Sequence, residues 1–145
     1  MAMLRFALLT WVVLSAAAAF AQDDAEVKAD LAALQGAWRI TKMQAAGEMP
    51  PPGFIEQLQL VFTDTTVSLK LAQRTETCTY KIDPKAKPKT LDMTPETNKE
   101  LNVLGIYELS GDVLKICWSK KGARPTAFTA NAGEDRLLLE LARVK

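Results

Sequence analysis

The sequence contains no histidine, and this absence excludes much of the chemistry that proteins commonly use. Histidine is the usual general base near neutral pH and the commonest metal ligand. Without it, Ser-His-Asp and Cys-His catalytic arrangements cannot form, nor can histidine-containing zinc or non-haem iron sites. The two cysteines, Cys78 and Cys117, are too few for a cysteine-rich metal site. We therefore expect no catalytic residues, no metal and no cofactor.

The chain also lacks an excess of charge of either sign. Its 18 basic and 17 acidic residues leave a formal net charge of +1, and its 145 residues are about one domain of ordinary globular composition. A nearly neutral protein does not attract a polyanion over long distances. We therefore expect no nucleic-acid partner.

Residues 1–21 have the pattern of a secretory signal peptide. Arg5 supplies a positive charge, an apolar core begins at Phe6, and small residues form a cleavage site at Ala21, so that the mature chain begins at Gln22. An uncleaved anchor is the alternative, although the apolar run is shorter than the ~20 residues that a spanning helix needs. Cleavage predicts an extracytoplasmic protein, periplasmic or secreted, with no stable membrane insertion.

The next segment, residues 22–35, is expected to form a short helix that covers one end of the remaining domain. Val27, Leu31 and Leu34 recur at helical spacing, and Gly36 is placed to end the helix. An apolar stripe of this length needs another surface to cover it. We expect the domain formed by residues 36–145 to provide that surface.

The apolar period changes to two from Trp38 onward, which predicts about nine short strands and an all-β domain. Turn residues such as Ser110-Gly111-Asp112 join consecutive strands and favour antiparallel pairing. Closing the sheet into an up-and-down barrel of about eight or nine strands removes the exposed edges, and an open half-rolled sheet or sandwich is the alternative. The inward residues are expected to be Trp38, Ile40, Leu58, Leu60, Phe62, Val67, Leu69, Leu71, Cys78, Tyr80, Ile82, Leu91, Met93, Tyr107, Leu109, Leu114, Ile116, Trp118, Phe128, Leu137, Leu139 and Leu141.

The connections of such a meander alternate between the two ends of the barrel. The odd-numbered connections include three long ones, and we call the end that carries them the mouth. The other end receives the short connections and the helix, and we call it the base. The mouth connections are expected at 44–56, 73–75, 95–102 and 119–125, and the base connections at 63–65, 83–88, 110–112 and 131–135. Two basic clusters fall at opposite ends, with Lys85, Lys87 and Lys89 at the base and Lys120, Lys121 and Arg124 at the mouth.

An exported protein can hold a disulfide between Cys78 and Cys117. However, Cys78 shares the inner face of its strand with Tyr80, whereas Cys117 alternates with inward residues and shares the outer face with Lys115. Cysteines on opposite faces do not usually bridge, so two separate thiols are favoured. A bulge in either strand would reverse this prediction.

Gly36-x-Trp38 at the start of the first strand, the preceding short helix and Arg143 in the last strand together resemble the lipocalin and calycin pattern. In that pattern the arginine lies across the tryptophan, which closes one end of the barrel. The resemblance implies a cation-π contact between Arg143 and Trp38 and a structural role for Gly36. A solvated Arg143 is the alternative.

A closer resemblance covers nearly the whole mature chain. It rests on four segments in order: Leu34-Gln35-Gly36-Ala37-Trp38; Tyr80-Lys81-Ile82-Asp83-Pro84 with Pro88-Lys89-Thr90-Leu91-Asp92; Gly105 to Cys117; and Arg124-Pro125-Thr126-x-Phe128. Together they resemble a lipocalin-like domain family without an established ligand or activity that is common in planctomycete bacteria. The resemblance implies an exported β domain.

These observations predict a non-catalytic binding domain. A barrel of this size can hold one small ligand or fill itself with side chains. A small apolar or amphipathic ligand would contact the interior, and Arg124 would receive its carboxylate. The alternative is a protein-interaction or envelope-structural module with a filled core and an exposed patch at Phe54 or Val103-Leu104. The expected ligand-binding residues are Leu60, Tyr80, Met93, Tyr107, Trp118, Phe54 and Arg124.

No enzymatic activity is expected. Alternation along the strands places Asp92 and Glu108 on the outer face, where they cannot form an inward-facing acid pair. A small ligand is the expected partner. The sequence leaves the oligomeric state open.

Overall fold

The computed structural model describes residues 16–145, with side chains from residue 25 onward. Most of the expected signal peptide, including its charged and apolar parts, lies outside the described residues. A helix, α1, spans Ala16–Leu34 and is followed by eight strands. The strands are β1 (Gly36–Ala45), β2 (Gln59–Phe62), β3 (Thr66–Lys70), β4 (Thr75–Asp83), β5 (Lys89–Pro95), β6 (Val103–Ser110), β7 (Val113–Ser119) and β8 (Arg136–Arg143).

Helix α1 begins at Ala16, before the expected start of the helical segment at residue 22. Alanine has the highest helix propensity, and the chain is rich in alanine from residue 16 to 21. The helix ends at Leu34, and Gly36 follows with φ +108°, a conformation that a residue with a Cβ rarely adopts. No helix within residues 16–145 combines the length and the apolarity needed to cross a membrane.

The eight strands form one closed barrel in sequence order, with every neighbouring pair antiparallel. Pairing of β8 with β1 closes the barrel and places Arg143 opposite Trp38. The register shifts by one residue between Ile40 and Lys42 of β1, which brings Met43 to face inward after Ile40. The expected all-β antiparallel barrel is confirmed.

The segment around Phe128, expected to be a ninth strand, is not a strand. Residues 120–135 form a single long connection between β7 and β8. Since β8 pairs with β1, the closed sheet leaves no edge for another strand, and Pro125 lacks the N–H that a strand needs. The connection instead lies on the outside of the barrel, where Phe128 packs on Ile106, Cys117 and Leu138.

Because the barrel has eight strands and not nine, residues 131–135 lie at the mouth and not at the base, where they were expected. They belong to the seventh connection, which lies at the same end as the first. The Gly47 N–H of the first connection donates to the Ala130 carbonyl at 2.6 Å. Gly47 also approaches Ala132 so closely that an added Cβ would lie 2.7 Å from its backbone nitrogen. The first and seventh connections are therefore in contact at the mouth.

Side chains from all eight strands and from α1 form one continuous core inside the barrel. Its members alternate along each strand, as the period of two predicts. The core also has members that are only partly buried. The buried members are Leu34, Trp38, Ile40, Leu58, Leu60, Phe62, Val67, Tyr80, Leu91, Met93, Tyr107, Leu114, Ile116, Leu139 and Leu141.

Candidate functional site

The base of the barrel is closed by Trp38, which is fully buried. Its indole Nε1 donates to the Leu34 carbonyl at 2.9 Å, which joins the first strand to the end of α1. The Arg143 guanidinium lies 4.3 Å from the centroid of the Trp38 ring, so the expected cation-π contact is present. The tryptophan is thus held between the helix, the core and an arginine.

Arg143 also binds the C-terminal end of α1. The last four carbonyls of a helix have no partner within the helix. Arg143 donates to the carbonyls of Ala33 and Gln35, the latter at 3.0 Å. Its Nε lies 3.1 Å from the Asp112 carboxylate in the turn between β6 and β7. One side chain therefore connects the helix, the last strand and a base turn.

A second polar contact attaches α1 to the base. The Asp30 carboxylate accepts hydrogen bonds from the Tyr107 hydroxyl at 2.6 Å and from the Lys89 ammonium at 2.8 Å. Burial is the main cause that raises the pKa of Tyr107, and the hydrogen bond to Asp30 raises it further. The Lys89 ammonium also lies 5.8 Å from the centre of the Tyr107 ring. Tyr107 therefore points to the base and has its hydroxyl satisfied.

Tyr80 is satisfied in the same half of the barrel. Its hydroxyl donates to the Thr63 carbonyl at 2.7 Å, and its ring meets Phe62 edge to face with centroids 5.4 Å apart. Burial raises the pKa of Tyr80 to about 12, and the nearby Asp64 carboxylate adds to the shift. Neither tyrosine hydroxyl is free to bind a ligand without giving up a contact within the protein.

Partial exposure of inward side chains is not confined to one end, since Ile82 and Leu109 near the base are partly accessible and Leu58 at the mouth is buried. Six inward apolar side chains at the mouth pack on the core and remain partly accessible to solvent. They come from six strands, so they form a ring around the opening rather than a patch on one wall. The ring consists of Met43 from β1, Leu69 from β3, Cys78 from β4, Val103 from β6, Trp118 from β7 and Leu137 from β8.

The residues expected to contact a ligand divide between these two halves. Tyr80 and Tyr107 point to the base, whereas Trp118 belongs to the ring at the mouth. Leu60 and Met93 lie in the buried core, at 3% and 7% exposure. Of these five residues, only Trp118 therefore belongs to the partly accessible ring.

Gly105 lies opposite Trp118, with which it is paired across β6 and β7. A Cβ on Gly105 would lie 3.0 Å from two backbone carbonyl oxygens and 3.2 Å from the Trp118 Cβ. A side chain at position 105 would therefore crowd the neighbouring strands.

Phe54 lies in the first mouth connection and is 46% exposed. The next residues, Ile55–Gln57, form one turn of 3₁₀ helix, and Ile55 packs on the core. The Phe54 N–H bonds to the Pro51 carbonyl at 3.2 Å, which orders the turn. Ile55 therefore covers part of the opening while Phe54 faces outward. Val103 and Leu104, the other expected patch, are only partly exposed.

Arg124 lies on the outer wall rather than over the opening. Its guanidinium pairs with the Asp92 carboxylate and donates to the Gly105 carbonyl at 2.8 Å. Parity had placed Asp92 on the outer face, and this contact agrees with that placement. A carboxylate of a ligand would have to replace Asp92 to bind Arg124.

The two cysteines are free and lie on opposite sides of the wall. Cys78 faces the interior, whereas Cys117 is fully buried outside, beneath the 120–135 connection, and donates to the Thr129 carbonyl at 3.4 Å. Burial raises the pKa of both thiols; for Cys78 the Glu76 and Glu96 carboxylates raise it further. Within the described part of the chain, no three Cys, Asp or Glu side chains converge to hold a metal ion.

A cleft of about 270 Å³ lies near the base. It is lined by the Pro84 to Pro88 turn, Glu108 and Phe128, and also by the inward residues Tyr107 and Leu109. Sequence reasoning missed this cleft because it treated Phe128 as part of an inward-facing strand. It also missed Asp30, whose partners lie 59 and 77 residues away and leave no local signal in the helix.

No protein-family profile matches the chain, and no curated protein matches it. Among solved structures, the chain is similar to a DUF4847 family protein from Bacteroides vulgatus ATCC 8482, with 15% sequence identity and a TM-score of 0.47. The similarity covers 78% of this chain and 95% of that one.

Proposed function

We propose that this protein is an exported, lipocalin-like domain that binds a small apolar or amphipathic molecule in the mouth half of its barrel. The observation that carries the proposal is the ring of apolar side chains that remain partly accessible around the opening. Apolar side chains that stay accessible inside a concave opening are typical of small-molecule sites. Membership of the lipocalin-like class is supported by the Gly36, Trp38 and Arg143 arrangement at the base.

The sealed base supports a binding role rather than a channel. Trp38 and Tyr107 are 0% and 1% exposed, and α1 covers their end of the barrel. A ligand would enter and leave by the mouth, past Ile55. No reaction is proposed, because the inward side chains of the mouth ring include no acid or base other than the Cys78 thiol, whose pKa is raised.

The proposal is tested by titrating the purified protein with N-phenyl-1-naphthylamine, an uncharged apolar probe whose fluorescence rises in apolar surroundings. Saturable binding is expected, with energy transfer from Trp118, since this indole belongs to the ring. Val103→Trp, which fills the opening, should weaken binding at least about tenfold by displacing the apolar contacts. The matched control is Val113→Trp, at an exposed valine near the base, and it should bind as the wild type does.

Absence of saturable binding by the wild type would overturn the proposal, as would equal affinity of the two tryptophan variants. Native mass spectrometry of the protein purified from its own host is the complementary measurement. It is expected to show a mass above that of the polypeptide, corresponding to a bound small molecule.

A protein-interaction module is the second candidate. The exposed Phe54 and the buried inner side chains Leu60, Tyr80, Met93 and Tyr107 favour it, because a filled core leaves only the surface for binding. This candidate predicts that Phe54→Ser abolishes partner binding while Val103→Trp leaves it unchanged. The small-molecule proposal predicts the larger effect for Val103→Trp.

A further inference from the structure

Three of the exposed large apolar side chains lie on the connections at the mouth. Met49 is 62% exposed, Phe54 46% and Leu101 43%. Met49 and Phe54 belong to the first connection, and Leu101 belongs to the fifth. In a closed eight-stranded barrel these connections are separated by four strands, so they lie on opposite sides of the opening.

Hydrogen-bonded turns hold these three side chains outward. Ala45 and Glu48 exchange two backbone hydrogen bonds of 2.9 Å immediately before Met49. The Phe54 N–H bonds to the Pro51 carbonyl, and the Leu101 N–H bonds to the Asn98 carbonyl, each at 3.2 Å. These bonds order the backbone beside each of the three side chains, which remain exposed.

The charges at the mouth distinguish between possible partners. The connections 46–58, 71–74, 96–102 and 120–135 carry six acidic and five basic residues, so their net charge is −1. The acidic residues are Glu48, Glu56, Glu96, Glu100, Glu134 and Asp135, and the basic residues are Arg74, Lys99, Lys120, Lys121 and Arg124. Such a surface has no electrostatic preference for an anionic partner. Apolar contact is the attraction it offers.

From these observations we propose that the mouth docks on a phospholipid surface whose headgroups carry no net charge. Met49, Phe54 and Leu101 insert on both sides of the opening, and the apolar ring then faces the lipid directly. An apolar ligand could pass between the lipid and the barrel without crossing water. Phe54 is connected to the apolar ring through the adjacent Ile55, which packs on the core. This inference rests on the proposed function, because it states where the ligand comes from or goes.

The test is flotation of the purified protein with vesicles of phosphatidylcholine and, separately, of phosphatidylcholine mixed with phosphatidylglycerol. The wild type is expected to float equally with both, with little dependence on salt. The double variant Phe54→Ser/Leu101→Ser should lose at least about tenfold in partitioning, because two inserting side chains are removed. Val113→Ser/Val144→Ser is the matched control, since it removes two exposed apolar side chains near the base, and it should float as the wild type does.

Failure of the wild type to float with either vesicle would overturn the inference. It would favour a protein partner for Met49, Phe54 and Leu101 instead. Equal loss in the two double variants, or flotation only with the anionic vesicles, would overturn it as well. Circular dichroism checks that each variant is folded. Titration with N-phenyl-1-naphthylamine in the absence of vesicles separates the two proposals: binding of the probe without flotation removes docking alone, whereas flotation without binding removes the ligand proposal.

Discussion

The base and the mouth of this barrel are built from the same alternation of apolar residues, but they differ in hydrogen bonding and in solvent exposure. At the base, the polar atoms of the aromatic side chains have hydrogen-bond partners: the Trp38 Nε1 donates to the Leu34 carbonyl, and the Tyr107 hydroxyl donates to the Asp30 carboxylate. At the mouth, apolar side chains such as Trp118 and Met43 remain partly accessible. The base is therefore expected to carry stability, and the mouth is expected to carry binding.

One repeating pattern of apolar residues thus gives two different ends within a single sheet. The helix makes the distinction, because it covers only one end and supplies Asp30, Leu34 and the carbonyls that Arg143 binds. This division of roles can be tested, beginning with the change expected to have the largest effect.

Replacing Trp38 with alanine should lower the free energy of unfolding by about 3–5 kcal/mol, because it leaves a large cavity beneath the helix. Replacing Trp118 with alanine should cost clearly less, since its ring is already partly solvated at the mouth. Denaturant unfolding monitored by circular dichroism measures both. Equal losses in the two variants would show that the base and the mouth contribute alike, contrary to the division proposed here.

Alkaline pH should destabilise the protein through its only two tyrosines, both of which lie in the base half. The unfolded chain loses a tyrosine proton near pH 10, whereas folded Tyr80 holds its proton to about 12. Their contribution to stability is therefore fully present below pH 10 and is lost as the pH rises to about 12 and beyond. Tyrosinate absorbance at increasing pH measures this, and Tyr107→Phe isolates Tyr80. Titration of Tyr80 near pH 10 in the folded protein would contradict the buried base.

Replacing Arg143 with lysine should lower stability by about 1–2 kcal/mol, because an ammonium cannot stack on Trp38 and bind two helix carbonyls at once. Arg39→Lys, at an exposed position of β1, is the matched control and should stay within about 0.5 kcal/mol of the wild type. Thermal unfolding compares the two. If the variants were indistinguishable, Arg143 would not be holding the helix to the barrel.

The smallest expected effect concerns the two thiols. Iodoacetamide should modify Cys78 before Cys117 in the folded protein, because Cys78 is only partly buried at the mouth and Cys117 is 0% exposed. Both should react more slowly than in denaturant, and both rates should continue to rise above pH 9, since burial raises each pKa. Peptide mass spectrometry after timed labelling gives the order. Faster labelling of Cys117 would mean that the 120–135 connection opens readily.

Much of the fold could be predicted from local patterns. The period of two identified β1 to β8, and the spacing from Gly36 to Trp38 identified the closed end. The resemblance to the lipocalin pattern implied the contact between Arg143 and Trp38. Alternation of inward and outward residues along a strand separated Cys78 from Cys117. That last prediction depends only on which face of a strand each residue occupies.

The errors arose where contact between distant segments decides the structure. Phe128 was included among the apolar residues at a period of two and so was expected in a strand, but the pairing of β8 with β1 leaves no edge for it. With one strand fewer, residues 131–135 belong to the mouth and not to the base. Arg124 was expected at the mouth as a partner for a ligand carboxylate, but it pairs with Asp92 on the outer wall.

The antiparallel barrel with an indole at one end follows from local patterns, because alternation and glycine placement act over a few residues. Which inward side chains are buried and which remain partly accessible follows instead from packing between distant segments. That outcome depends on where α1 docks and on how the connection between β7 and β8 crosses the wall. The physical reason is that burial is a property of packed surfaces, and the surfaces here come from residues up to 110 positions apart.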